Sequence, residues 1–171
     1  MLNNRQHEQL LKGLNPTRIA KRQGGGGKSL SYLEAWDVKA HLIRIFGFGG
    51  WSWTVIEAVL AFEEQGERNW TVGYKVVGVL TIHGIDQIVN ERHEVVTRDA
   101  QYAEAAVGSA SLPQRGEAHD MAIKTAESDA LKRAAINLGD QFGLSLYNNG
   151  AVAPVVCQTL TVDMPYAAEE A

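Results

Sequence analysis

Lys132 and Arg133 stand side by side within Glu117–Tyr147, a stretch whose apolar spacing is helical. Neighbouring helical residues point about 100° apart, and this pair borders an apolar stripe rather than a fully polar face. Far upstream, Arg22 precedes four glycines, Gly24 to Gly27, and then Lys28; Tyr32 follows within four residues. Cations of this kind hold phosphate oxygens, glycines let a backbone approach a sugar–phosphate chain closely, and a ring beside them can contact a nucleotide or brace the loop. The chemistry on offer is the gripping of a polyanion, with no covalent step. From the residues alone the plain alternatives stay open: Lys132 and Arg133 as a solvated helix pair with Asp129 salt-bridged to Arg133, and the glycines as a linker with an incidental lysine.

Other chemistries find less support. The run Gly24–Ser29 invites comparison with a phosphate-binding P-loop, and a nucleotide-using protein is one alternative reading. The complete pattern needs a glycine six residues before the lysine, where Arg22 stands, and no apolar strand precedes it. The five histidines, His7, His41, His83, His93 and His119, form no metal-ligand pattern, and neither HExxH nor CxxC occurs. There is no GxSxG nucleophile motif. We expect no catalytic residue, no metal and no cofactor, hence not an enzyme. A structural oligomer without nucleic acid is the other alternative.

The elements that must position these residues can be read from periodicity. Asn3–Lys12 suits a short amphipathic helix, interrupted by Pro16. Arg18–Lys28 reads as a basic loop, Ser29–Leu33 as a short strand, and Glu34–Phe46 as a helix with Val38, Leu42 and Ile45 on one face. Trp51–Phe62 and Trp70–Ile82 have strand character, the latter alternating Trp70, Val72, Tyr74, Val76, Leu80 and Ile82 against Thr71, Lys75 and Thr81. His83-Gly84 is expected to close a hairpin into a third strand, Ile85–Thr97, and Arg98–Gly116 to be a long loop. Trp51 and Trp53 are expected to pack in the core. In the long helix, alanines at 118, 122, 126, 130 and 134 make a ridge of small side chains, widened by Met121, Leu131, Ala135 and Leu138. Gly139 or Gly143 should end it. The fold class is α+β: an antiparallel sheet with a long helix packed on it.

The chain has 171 residues and a net charge of −4, which by itself argues against a nucleic-acid partner. The distribution of charge points the other way, because Lys12, Arg18, Lys21, Arg22 and Lys28 fall in one stretch without an acid. Domain limits are placed at 1–150, with 151–171 a flexible acidic tail holding the single Cys157. No apolar run of about 18 residues and no signal-peptide pattern occur, so an intracellular protein without a membrane partner is expected, in a bacterial or phage-infected cytoplasm or in a nucleus.

Three segments taken in order, Arg22–Glu34, Phe46-Gly-Phe-Gly-Gly-Trp51, and Asp129-Ala-Leu-Lys-Arg-Ala134 with Leu138-Gly-Asp-Gln-Phe-Gly143, resemble the annealing domain of the Rad-fifty-two (Rad52) family, single-strand annealing proteins of recombination found also in phages and prophages. The resemblance runs from about Leu14 to Tyr147. It implies a β-β-β-α core, assembly into a homo-oligomeric ring, and ATP-independent annealing of single-stranded DNA held in a basic groove. It implies DNA-binding roles for Arg22, Tyr32, Lys132 and Arg133. One departure stands out: the next family arginine on the helix is Ile136 here, so extra charge is expected from Lys28, Lys21 or Lys124. A single-strand-binding protein or a recombinase is the further partner the resemblance raises. It would act through a C-terminal region expected to be mostly missing, so mediator activity is not expected.

Overall fold

A computed structural model describes residues 2–23, 29–89 and 92–159. Helix α1 (Asn4–Leu10) begins with a reciprocal cap: the Asn3 side chain accepts from the Gln6 N–H, and the Gln6 side chain accepts from the Asn3 N–H, both at 2.9 Å. Strands β1 (Ala20–Gln23) and β2 (Ser29–Tyr32) pair antiparallel, with Ala20 opposite Tyr32 and Arg22 opposite Leu30. The basic segment read as a loop therefore contains a strand, and Gly24–Lys28 lie outside the described residues. Helix α2 (Ala35–Phe46) buries Val38, Leu42 and Ile45 and stops at Gly47, whose φ of +82° suits glycine.

Strands β3 (Trp51–Gln65), β4 (Trp70–Val89) and β5 (Val95–Leu112) form one antiparallel sheet in the order β3-β4-β5, and helix α3 (Arg115–Ala135) lies across one face. The alanine ridge explains how closely. Ala118, Ala122, Ala126, Ala130 and Ala134 are all fully buried. Opposite them, a Cβ placed on Gly108 of β5 would stand 2.3 Å from the Ala126 amide nitrogen, so helix and strand meet backbone to backbone. Leu131, Ala135 and Leu138 join the core as expected; Met121 does not, being exposed. After α3 the chain tightens into three short 3-10 turns, Ile136–Leu138, Asp140–Phe142 and Leu144–Tyr147, separated by Gly139 (φ +97°) and Gly143 (φ +91°). The main core joins Val38, Leu42, Leu80, Ile82, Leu131 and Phe142, with Trp51 and Trp53 packed against it.

Two expectations are corrected. The hairpin is not at His83-Gly84: β4 runs through it, with Gly84 at φ +60° and a register irregularity between Ile82 and Asp86. Asp99 stitches that irregularity by accepting from the Gly84 N–H at 2.9 Å and approaching His83 Nδ1 at 2.9 Å, and those contacts hold its carboxyl below the usual carboxylate range. The stretch read as a long loop is most of β5. Between Tyr102 and Leu112 its inward residues, Glu104, Ala106, Gly108 and Ala110, are small or polar because α3 is so near, which hides the usual apolar alternation. Residues 151–159 carry no helix or strand but touch the preceding elements. Asp140, buried, accepts from the Val155 and Val156 N–H groups at 2.9 and 3.0 Å, and His7 meets Thr159 at 3.2 Å. Residues 160–171 lie outside the described residues. Among the described residues no helix is long and apolar enough to cross a membrane.

Candidate nucleic-acid interface

An open trough of about 600 Å³ lies where the β1–β2 hairpin, the β4–β5 part of the sheet and the end of α3 converge. Its rim carries Arg22, Lys75, Lys132 and Arg133; its floor is apolar, with Leu33, Val38, Ala106, Phe142 and Leu146, and Asp129 and Tyr32 complete the wall. Segments far apart in sequence thus bring their cations to one depression.

Each wall follows from local structure. The pleat puts Arg22 on the same hairpin face as Tyr32, because alternate residues share a side. Arg18 holds that hairpin in place. Its guanidinium bonds both Asp37 oxygens, Nε at 3.1 Å to each and Nη2 at 2.7 Å to Oδ2, and its Nη1 donates to the Gln141 carbonyl at 2.9 Å. Gln141 in turn donates to the Lys12 and Gly13 carbonyls at 2.9 and 2.7 Å. One largely buried ion pair therefore clamps the N-terminal segment onto α2 and the turns after α3. Arg18, counted by composition among the basic strip, is spent on structure.

Tyr32 is a brace. Its ring lies 5.3 Å from the Arg22 guanidinium carbon and 5.5 Å from Lys132 Nζ. Its hydroxyl donates to Glu34 Oε1 at 2.7 Å, a contact that raises the phenol above its ordinary pKa and keeps it a donor. Lys132 pairs with Asp129 Oδ1 at 2.6 Å, and Arg133 Nε lies 3.5 Å from Glu104 Oε2 of β5. The expected Asp129–Arg133 pair is thus replaced by Asp129–Lys132.

The trough gathers Arg22, Tyr32, Lys132 and Arg133 and omits other candidates. Lys21 alternates onto the opposite face of the hairpin from Arg22. Lys124 is nine residues from Arg133, about 180° round α3, and is held by Asp120 at 2.6 Å. Lys28 lies outside the described residues. Ile136 does line the trough, as an apolar side chain. Sequence reasoning missed Lys75, which enters the rim from β4 and pairs with Glu57 at 3.2 Å. Its signal was present: it is the cation on the polar side of a well-alternating strand. As for a P-loop, its Lys-Ser opens a helix, whereas Ser29 opens strand β2, so that alternative loses its structural context. No cluster of His, Cys, Asp and Glu able to hold a metal ion occurs among the described residues.

This geometry defines a class first: an α+β domain presenting a cation-rimmed trough at the end of its long helix. Comparison with known proteins then gives the family. Residues 3–157 match the family described as Rad52/22 family double-strand break repair protein, and the chain belongs to it. It is 31% identical over 147 residues to the DNA repair and recombination protein rti1 of Schizosaccharomyces pombe, covering 84% of this chain and 35% of that protein. It is 30% identical over 142 residues to rad22 of the same yeast, covering 81% of this chain and 27% of that protein. With RAD52 of Saccharomyces cerevisiae it shares 28% over 152 residues, 84% of this chain and 28% of the relative. The chain spans about a third or less of the length of these relatives.

Proposed function

We propose that the trough binds single-stranded DNA by its phosphates, and that the protein anneals complementary strands in recombination and repair without ATP. The observation that carries this reading is the meeting of Arg22, Lys132 and Arg133 around Tyr32, in a chain of the Rad52/22 family. Cations on the rim contact a backbone; a floor this poor in polar groups offers no sequence code, so base edges stay available for pairing. Annealing then needs no bond making: the protein screens repulsion between two strands and reduces the disorder each must lose.

One trough holds few cations, and each neutralised phosphate contributes only about 0.7 to the log–log salt slope on single strands. Repetition of the site supplies the rest, since one strand crossing several copies meets each at high effective concentration. A homo-oligomeric ring fits edge strand β3, which exposes Val55 and Leu60 on one face and Val59 and Phe62 on the other. The test is annealing of two complementary oligonucleotides with nucleotide and divalent metal withheld, alongside light scattering for size. Annealing by an oligomer supports the reading; strict dependence on ATP, or no salt-sensitive binding of single strands, refutes it.

A further inference from the structure

The trough's cations are already occupied. Lys132 has Asp129 at 2.6 Å, Arg133 has Glu104 at 3.5 Å, and Lys75 has Glu57 at 3.2 Å. Among the described residues Arg22 is the exception of the four, leaning on the Tyr32 ring. Asp129 itself lines the trough, and Glu104, on the strand beneath the helix, meets Arg133 of its rim. These ionic contacts are open to solvent: the side chains of Lys132 and Asp129 are 23% and 31% exposed, those of Arg133 and Glu104 50% and 30%. Pairs so placed are weak and exchangeable.

We propose that Asp129 and Glu104 set the affinity of the trough by holding, in the unbound protein, the cations that DNA phosphates take over in the complex. The proposal rests on the single-strand reading above and adds its regulation. A strand binds by exchanging one anion for another. The displaced carboxylate stays beside the incoming phosphate and attracts a solution cation, which offsets the counterion that the phosphate released. Affinity per site is thereby lowered and its salt dependence flattened. A grip that is easily returned to the protein's own carboxylates suits a strand that must leave once it has paired.

Asp129→Asn and Glu104→Gln keep shape and remove charge. Asp120→Asn makes the same charge change on the same helix, but Asp120 is about 180° round from Asp129 and its partner Lys124 lies outside the trough. The probe is a dye-labelled oligothymidylate, read by fluorescence anisotropy across a salt series, with a melting curve for each variant. Asp129→Asn and Glu104→Gln are each expected to bind about two- to fivefold more tightly, the scale of one exposed ion pair, with a salt slope steeper by up to about 0.7. Asp120→Asn is expected to match the unmodified protein. Unchanged or weaker binding by both trough variants overturns the proposal while leaving the single-strand reading intact, as does equal tightening by Asp120→Asn. If one trough variant melts early, the other decides. Absence of single-strand binding by the unmodified protein sinks the single-strand reading and this proposal with it, whereas full binding by the Lys132→Ala, Arg133→Ala double variant overturns the proposal alone.

Discussion

Gly108→Ala tests whether contact between α3 and the sheet truly places the trough. The added methyl would sit 2.3 Å from the Ala126 nitrogen and 2.8 Å from its Cα, where ordinary contact begins at 3.4 Å. The obstacle is backbone, which no rotamer change can relieve, so α3 must retreat by about 1 Å. Such overpacking costs about 3 kcal/mol, the upper part of the usual range. Stiffening of the unfolded chain by replacing glycine returns about 0.5–1 kcal/mol, leaving a net loss of about 2 kcal/mol. For a chain of this size that lowers Tm by about 4–8 °C, measured at equal protomer concentration because assembly also shifts melting. Lys132 and Arg133 ride on the far end of the same helix, so single-strand binding should weaken as well. A variant that melts within about 1 °C of the unmodified protein would refute the backbone-contact account of the alanine ridge.

Lys132→Ala and Arg133→Ala should each reduce binding of a labelled single strand at least severalfold in anisotropy, with light scattering unchanged; normal binding by the double variant removes both residues from the site. Arg18→Ala leaves Asp37 buried without its partner and should cost about 3–5 kcal/mol, seen as a lowered urea midpoint. A loss under about 1 kcal/mol would show that the clamp is not structural. His41, buried beside Arg18 and Asp37 and near Arg44, is pushed below the ordinary histidine pKa, chiefly by burial and next by Arg18. Because the unfolded chain then takes up the proton first, stability is full above about pH 6.5 and falls as pH drops below it, levelling only under the folded-state pKa. Melting curves between about pH 7.5 and 5 should show that decline, and His41→Asn should flatten it; an equal slope in both proteins contradicts the assignment.

The two helices that frame the trough were legible from spacing alone, because Val38, Leu42 and Ile45 in α2 and the alanines of α3 keep helical periods. β5 was not, and the reason is physical. A strand pressed against helix backbone must use glycine and alanine where strands normally carry branched residues, so Gly108 and Ala106 wrote the pattern of a loop. His83-Gly84 looked like a turn because glycine marks turns and irregular strands alike. In the site, Arg22, Tyr32, Lys132 and Arg133 could be named from motifs. Asp129 could be named as well, though beside the wrong cation; Glu104 could not, since it reaches Arg133 only through a strand the sequence concealed, and Lys75 enters from an element with no motif. The basic strip misled in the opposite direction: its Arg18 belongs to a buried clamp.

β4 has 20 residues, long enough to extend about 65 Å, while α3, with 21, spans only about 32 Å. β3 stops pairing at Trp51 opposite Ile82, so beyond that point β4 and β5 continue as a ribbon of two strands. Two strands alone are barely stable in water. Within the three-stranded sheet, amide deuterium uptake is therefore expected to be fastest along Asp86–Val89 and Val95–Arg98 in a dilute, dissociated sample. The same peptides become a built-in reporter: whatever surface captures the ribbon will first be seen as slowed exchange there, before any change is visible in the helix-backed sheet.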